Sequence, residues 1–187
     1  MPAKTGPHGL FQQGAEEMIL GFLQSPGGAP PSGVCTACAW VQEMTIKKDV
    51  KGMGMPWEAQ YGYAQAVKVG DTIYLAGQLS HDDEGKIVGA PPLDEQNRIL
   101  DHSNMGIQMR QTYVNAQKLL QRFGATLDNV VEEVLYVTDM DAAFAVAGSV
   151  RKQAYGSDKP DVASTILVTP RLALPQQLVE IKFIARI

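Results

Sequence analysis

The sequence predicts an α+β domain in which one mixed sheet carries two helices on a single face. Three observations predict it. Strand-length segments with a period of two lie at both ends of residues 45–187, two amphipathic helices lie between them, and the resulting order β, β, α, β, α, β, β fits few folds.

The elements follow in chain order. "MTIKK", 44–48, reads as a short leading strand and "GMGMPWEAQYG" as a loop. "YAQAVKV" and "TIYLAGQ" flank Gly70 and Asp71, the arrangement of a hairpin with a two-residue turn. "HDDEGKIVGAPPLDEQNRILDH" is a long polar connection, of the kind that is often functional in a small domain. A helix is predicted from near Ser103, with Met105, Met109, Thr112, Ala116, Leu119, Leu120 and Phe123 on one stripe and Gly124 to stop it. "EEVLYVTDM" is the next strand. Asp141 is placed to cap a second helix with Phe144, Ala147, Val150 and Ala154 facing inward and Gly156 at its end. "ASTILVT" and "LVEIKFIARI" are the last strands. In the second of these Val179, Ile181, Phe183, Ala185 and Ile187 alternate with Glu180, Lys182, Ile184 and Arg186.

Two helices cover one face of such a sheet, yet both faces of the hairpin and of "VLYVT" carry large apolar residues. An uncovered apolar face implies a partner, most economically further copies of the chain in a closed homo-oligomer with clefts between subunits.

Composition narrows the function. A chain of 187 residues with 45% hydrophobic and 19% charged residues is of ordinary globular composition. The net charge of -4 gives no general attraction to nucleic acid or anionic membranes. No apolar run approaches a membrane span, and the N-terminus matches neither a secretory nor a transit signal, so a cytoplasmic protein is expected. Residues 1–44, with "SPGGAPPSGVCTACAW", read as a linker-like extension holding a faint helix at 15–23. The domain proper is placed at 45–187. Cys35 and Cys38 have C-x-x-C spacing, but His8, His81 and His102 do not complete a structural zinc set, so two reduced bystander thiols are expected and no metal.

"YAQAVKVGDTIYLAGQLSHDDEGKIV", "RQTYVNAQKLLQRFGATLDNVVEEVLYVTDM", "KPDVASTILV" and "LVEIKFIA", in this order, resemble the reactive intermediate deaminase (Rid, or YjgF) family across about residues 45–187. The resemblance implies a chorismate-mutase-like fold, a homotrimer with a barrel-like centre, and inter-subunit clefts that hydrolyse small enamines and imines without cofactor or metal. It also implies roles. Tyr63 matches the cleft tyrosine, Gly77 the glycine whose amide approaches the ligand, and Glu180 the acidic residue that positions water. Ala163, Ser164 and Thr165 match the substrate-binding segment. The family's carboxylate-clamping arginine stands immediately before the position of Ser164; here it is Ala163, preceded by Val162. Neither supplies a planar charged fork, which marks a divergent, arginine-less subgroup. Arg171 and Arg110 are the candidate substitutes.

Pattern alone favours Glu180 as a solvated strand residue or one in an ion pair with Lys182 or Arg186, and the resemblance reverses that; Tyr63 also fits a half-buried strand aromatic, and Gly77 a bulge glycine. Ser164 and Thr165 have no histidine nearby in sequence to activate them as nucleophiles. Three functions are therefore carried forward: a cofactor-free imine or enamine hydrolase, a trimeric small-molecule-binding protein that has lost the chemistry, and, against the acidic charge and the missing basic or aromatic stripe, a ribonuclease or translation inhibitor.

Overall fold

The computed structural model describes residues 45–187. The 15–23 helix and the Cys35/Cys38 pair lie outside the described residues. Six strands, β1 (Asp49–Lys51), β2 (Ala66–Val69), β3 (Thr72–Gln78), β4 (Val130–Val137), β5 (Ala163–Val168) and β6 (Val179–Arg186), form one sheet in the order β1-β2-β3-β6-β4-β5. All neighbours are antiparallel except β4 and β5, which run parallel across the connection made by a helix. The helices are α1 (Pro56–Tyr61), α2 (Met105–Gln121) and α3 (Met140–Tyr155), with a 3-10 turn at Leu127–Asn129.

The expected hairpin is present, with Gly70 at φ 60° in its turn, a left-handed conformation that glycine adopts without strain. The C-terminal alternation is obeyed through residue 185. Val179, Ile181, Phe183 and Ala185 are fully buried under the helices, whereas Ile187 lies past the strand and is exposed. The helix stripe is likewise buried from Met105 to Leu120, and Gly124 and Gly156 both take positive φ where their helices end.

Four local expectations are corrected. The leading strand is Asp49–Lys51, paired with Ala66–Lys68, and not 44–48, where Ile46 lies exposed without a ladder partner. "PWEAQY" is a helix rather than a loop. Pro56 starts it, the Glu58 carboxylate accepts from the Met53 and Met55 amides at 2.9 Å, and Gly62 closes it in the left-handed region. Asp139, not Asp141, caps α3 by accepting from the Ala142 amide at 2.8 Å; Asp141 sits in the first turn, where a negative charge suits the helix dipole. Phe144 is 67% exposed, because Ala143 takes the inward position one residue earlier, in step with Ala147 and Val150.

Helices α2 and α3 pack together on one face of the sheet. The opposite face carries Val50, Val67, Tyr74, Ile184, Val134, Tyr136 and Leu167. Of these Val50, Tyr74 and Leu167 are more than a third exposed, so this sheet surface carries an apolar stretch that no described residue covers. No helix among the described residues is long and apolar enough to cross a membrane.

Candidate active site

The central feature is the contact of Glu180 with Gly77. The β3–β6 ladder slips between Leu75 and Gln78, and this irregularity lays the Gly77 backbone against the Glu180 side chain. A Cβ at position 77 would lie 2.5 Å from Cδ and 2.8 Å from Cγ of Glu180, and closer still to Oε1. Only glycine fits while Glu180 holds this rotamer. The other carboxylate oxygen, Oε2, accepts from the Gln177 amide at 2.9 Å. Gln177 is itself fully buried and accepts from the Leu174 amide at 3.3 Å, so Glu180 is held from both sides.

Tyr63 stands beside this pair, immediately after the left-handed Gly62 that ends α1. Its hydroxyl accepts from Gln65 at the long distance of 3.5 Å; Gln65 in turn accepts from the buried Gln78 amide at 2.9 Å, and Gln78 also donates to the Ala76 carbonyl within the ladder slip. The Tyr63 phenol is raised above its ordinary pKa, first by burial and then by the negative charges of Glu58 and Glu180. The indole of Trp57 on α1 works in the opposite direction, although its N–H is buried with no partner of hydrogen-bond geometry. The Trp57 ring meets His81 edge to face at 5.3 Å. Tyr63, Gly77 and Glu180 are thus brought together in one chain, and Glu180 pairs with Gln177 rather than with Lys182 or Arg186. Arg186 instead pairs with Asp71.

The β5 residues lie elsewhere. Glu180 is in register with Tyr136 and through it with Leu167, four residues beyond Ala163. At 3.3 Å per residue that is about 13 Å along the strand, in addition to two strand spacings. Ala163 and Thr165 share the uncovered face with Glu180. Ser164 points the other way, toward the helices, and its hydroxyl accepts from Arg151 Nη2 at 2.7 Å. Arg151 also pairs through Nε with Glu133, a fully buried carboxylate that accepts from Tyr113 at 2.9 Å and Tyr155 at 3.1 Å. Within one chain, therefore, Ala163, Ser164 and Thr165 do not meet Tyr63, Gly77 and Glu180. Among the other cations, Arg110 lies on α2 in a groove with α3, while Arg171 lines a separate pocket that also contains Gln177.

Sequence reasoning missed Gln177, Trp57 and the Arg151–Glu133–Ser164 group. The position of Gln177 three residues before Glu180 is its only signal. Trp57 was hidden in a segment read as a loop. Arg151 looks like any helix-surface cation.

Comparison with known proteins agrees with this architecture. The family model described as Endoribonuclease L-PSP matches residues 55–187. A RutC family protein of Pyrococcus abyssi is 31% identical over 99 residues, spanning 52% of this chain and 67% of that protein. A Schizosaccharomyces pombe protein named mmf1, mitochondrial, is 28% identical over 123 residues, 66% of this chain and 67% of that one. Among solved structures, Rv2704 of Mycobacterium tuberculosis, described as a member of the YjgF/YER057c/UK114 family, is 26% identical with a TM-score of 0.59, covering 75% of this chain and 100% of its own. RidA of an Antarctic Psychrobacter is also 26% identical, with a TM-score of 0.55 over 74% of this chain and 98% of its own. The chain belongs to the Endoribonuclease L-PSP family, the YjgF or Rid family.

Proposed function

We propose that this protein hydrolyses small imines or enamines, without cofactor or metal, in clefts between the subunits of a homotrimer. The observation that carries the reading is Glu180, held by Gln177, laid over Gly77 and flanked by Tyr63 on a largely apolar sheet face that no described residue covers. Covering that face with two further copies shelters Glu180 from bulk water and gives Ala163 and Thr165 of one subunit a route to Tyr63, Gly77 and Glu180 of the next.

The reaction adds one water. A Glu180 oxygen draws a proton from water as its oxygen bonds to the imine carbon and the C=N π electrons move to nitrogen. The proton passes to that nitrogen to give the carbinolamine; its hydroxyl proton is then drawn off by Glu180 and delivered to nitrogen as the C=O bond forms and the C–N bond breaks, so the carbonyl compound and ammonia leave with atoms and charge balanced. The amide of Gly77, at the ladder slip, is suited to hold a ligand oxygen, and the raised pKa of Tyr63 keeps its phenol a neutral hydrogen-bond donor.

The second reading, a trimeric binding protein without catalysis, is favoured by Ala163 standing where the family resemblance calls for arginine. The family's description as an endoribonuclease is the weakest guide here, given a net charge of -4.

The deciding experiment is Glu180→Gln, assayed on imines generated in situ by an amino-acid oxidase, with light scattering on the same samples. A trimer with turnover lowered by about 10²-fold to 10⁴-fold is expected, the usual worth of a general base. A monomer, or unchanged turnover in an intact trimer, refutes the proposal.

A further inference from the structure

With Ala163 in place of arginine, a cation for an acidic substrate has to come from elsewhere, and the structure separates the contenders. Arg151 is nearest to Ser164 in β5, but it is engaged by Glu133 and Ser164 on the helix side of the sheet. Arg186 is paired with Asp71. Arg110 lines the groove between α2 and α3, on the helix side of the sheet. Lys182 lies on the uncovered face two residues from Glu180, exposed on the strand and lining neither that groove nor the Arg171 pocket. Arg171, like Arg110, makes no ion pair among the described residues, but the pocket it lines, of about 520 Å³, also contains Gln177, the residue that holds Glu180; its other walls include Arg98, His102, Thr138 and Leu172.

Three features make this pocket a built site. Gln177, fully buried, is both part of its lining and the group that holds Glu180 Oε2 at 2.9 Å, so the pocket and the carboxylate share a wall. The segment before β6 is pinned to α2, because the buried Gln108 donates to the Gln176 carbonyl at 2.8 Å and accepts from the Leu178 amide at 2.8 Å. The lining contains no carboxylate. Of the carboxylates beside it, Asp94 is committed to Arg98 at 2.6 Å, Glu180 accepts from Gln177 at 2.9 Å, and Asp101 accepts from Ser103 next to His102, which leaves Arg171 as the lining cation with no carboxylate partner.

We infer that this pocket is a carboxylate-binding subsite next to Glu180, with Arg171 as its anchoring cation, and that it takes over in this chain the clamp lost at Ala163. This rests on the hydrolase reading and deepens it. The substrate is the imine or enamine of a small oxoacid, its carboxylate against the Arg171 fork and its reacting carbon toward Glu180.

Calorimetric titration with 2-oxobutanoate, the neutral ketone butanone and inorganic phosphate tests this on the whole chain. The wild type should bind the oxoacid and not the ketone. Arg171→Ala should weaken oxoacid binding about tenfold or more, as loss of a charge-assisted pair does, and Arg171→Lys should recover only part, having charge without the fork. The Arg171 side chain makes no hydrogen bond or ion pair among the described residues; only its carbonyl accepts, from Thr169 at 3.1 Å, so both variants should melt like the wild type. Lys182→Ala should bind the oxoacid within about twofold of wild type. The inference is overturned if Arg171→Ala binds normally, if Lys182→Ala carries the loss, if wild type binds no oxoacid, or if phosphate competes as well as the oxoacid. These outcomes are separate from the turnover of Glu180→Gln, so the subsite and the hydrolase reading fail independently.

Discussion

Replacing Arg151 with methionine should destabilise the fold through the charge it leaves behind. Glu133 is fully buried, and its partners are the Arg151 guanidinium and the hydroxyls of Tyr113 and Tyr155. Burial opposes the charge on Arg151, but Glu133 more than offsets that, so its pKa is raised. Methionine keeps most of the apolar stem and removes only the charged fork. Breaking a buried pair commonly costs about 3–5 kcal/mol, because the surviving charge stays desolvated. Here the Arg151 side chain is 22% exposed and two phenolic donors remain on Glu133. The cost is accordingly set at about 2–3 kcal/mol. For a domain of this size that lowers the melting temperature by about 5–10 °C.

Thermal unfolding followed by circular dichroism, at one fixed protein concentration, measures the shift. Adding Glu133→Gln to Arg151→Met should recover half or more of the loss, since a neutral amide replaces the stranded charge and still accepts from both tyrosines. A loss below about 0.5 kcal/mol for Arg151→Met would show that the pair behaves as an ordinary surface contact and refute the reasoning. So would a double variant less stable than Arg151→Met alone.

Two further outcomes follow from the same geometry. Gly77→Ala forces Glu180 out of its rotamer, so imine turnover should fall by about 10²-fold, as for loss of the base itself, while the melting temperature changes little; wild-type turnover would show that Glu180 does not act from this position. Tyr113 and Tyr155 are held far above the ordinary tyrosine pKa of 10.0, first by burial and then by the charge of Glu133. A raised folded-state pKa gives stability that is complete below the unfolded value and lost as pH rises past it. The urea midpoint should therefore hold from about pH 8 to about pH 10 and then fall, with a smaller fall in Tyr155→Phe; a flat profile to about pH 11 contradicts the burial of these phenols.

How much of this was legible in the sequence depends on how local each feature is. The alternation of β6 and the stripe of α2 are repeated patterns imposed by a continuous core, so Phe183 and Leu119 were readable from spacing alone. The errors lie where one contact decides. A single hydrogen bond to the Ala142 amide moves the cap of α3 from Asp141 to Asp139, and a one-residue rotation exchanges Phe144 for Ala143. The helix at Pro56–Tyr61, with six residues, is too short to show a period, and the amides of Met53 and Met55 just before it are satisfied by Glu58 from within.

The candidate site was legible by residue type but not by arrangement. Resemblance picks out Tyr63, Gly77 and Glu180, yet nothing in their spacing of 14 and 103 positions says that a slip in the β3–β6 ladder presses the glycine onto the carboxylate. Nor does sequence distinguish the two faces of β5, where parity with β4 turns Ser164 toward Arg151 and leaves Ala163 and Thr165 on the open side. The same parity explains how the clamp could be lost without disturbing the fold. An arginine at 163 would stand on the uncovered face, outside the Glu133–Arg151 cluster, so exchanging it for alanine removes a ligand contact and no core contact. On the proposed reading, the stability of the domain and the chemistry of its cleft rest on different arginines, Arg151 and Arg171, with the charge supplied from the loop before β6 and not from β5.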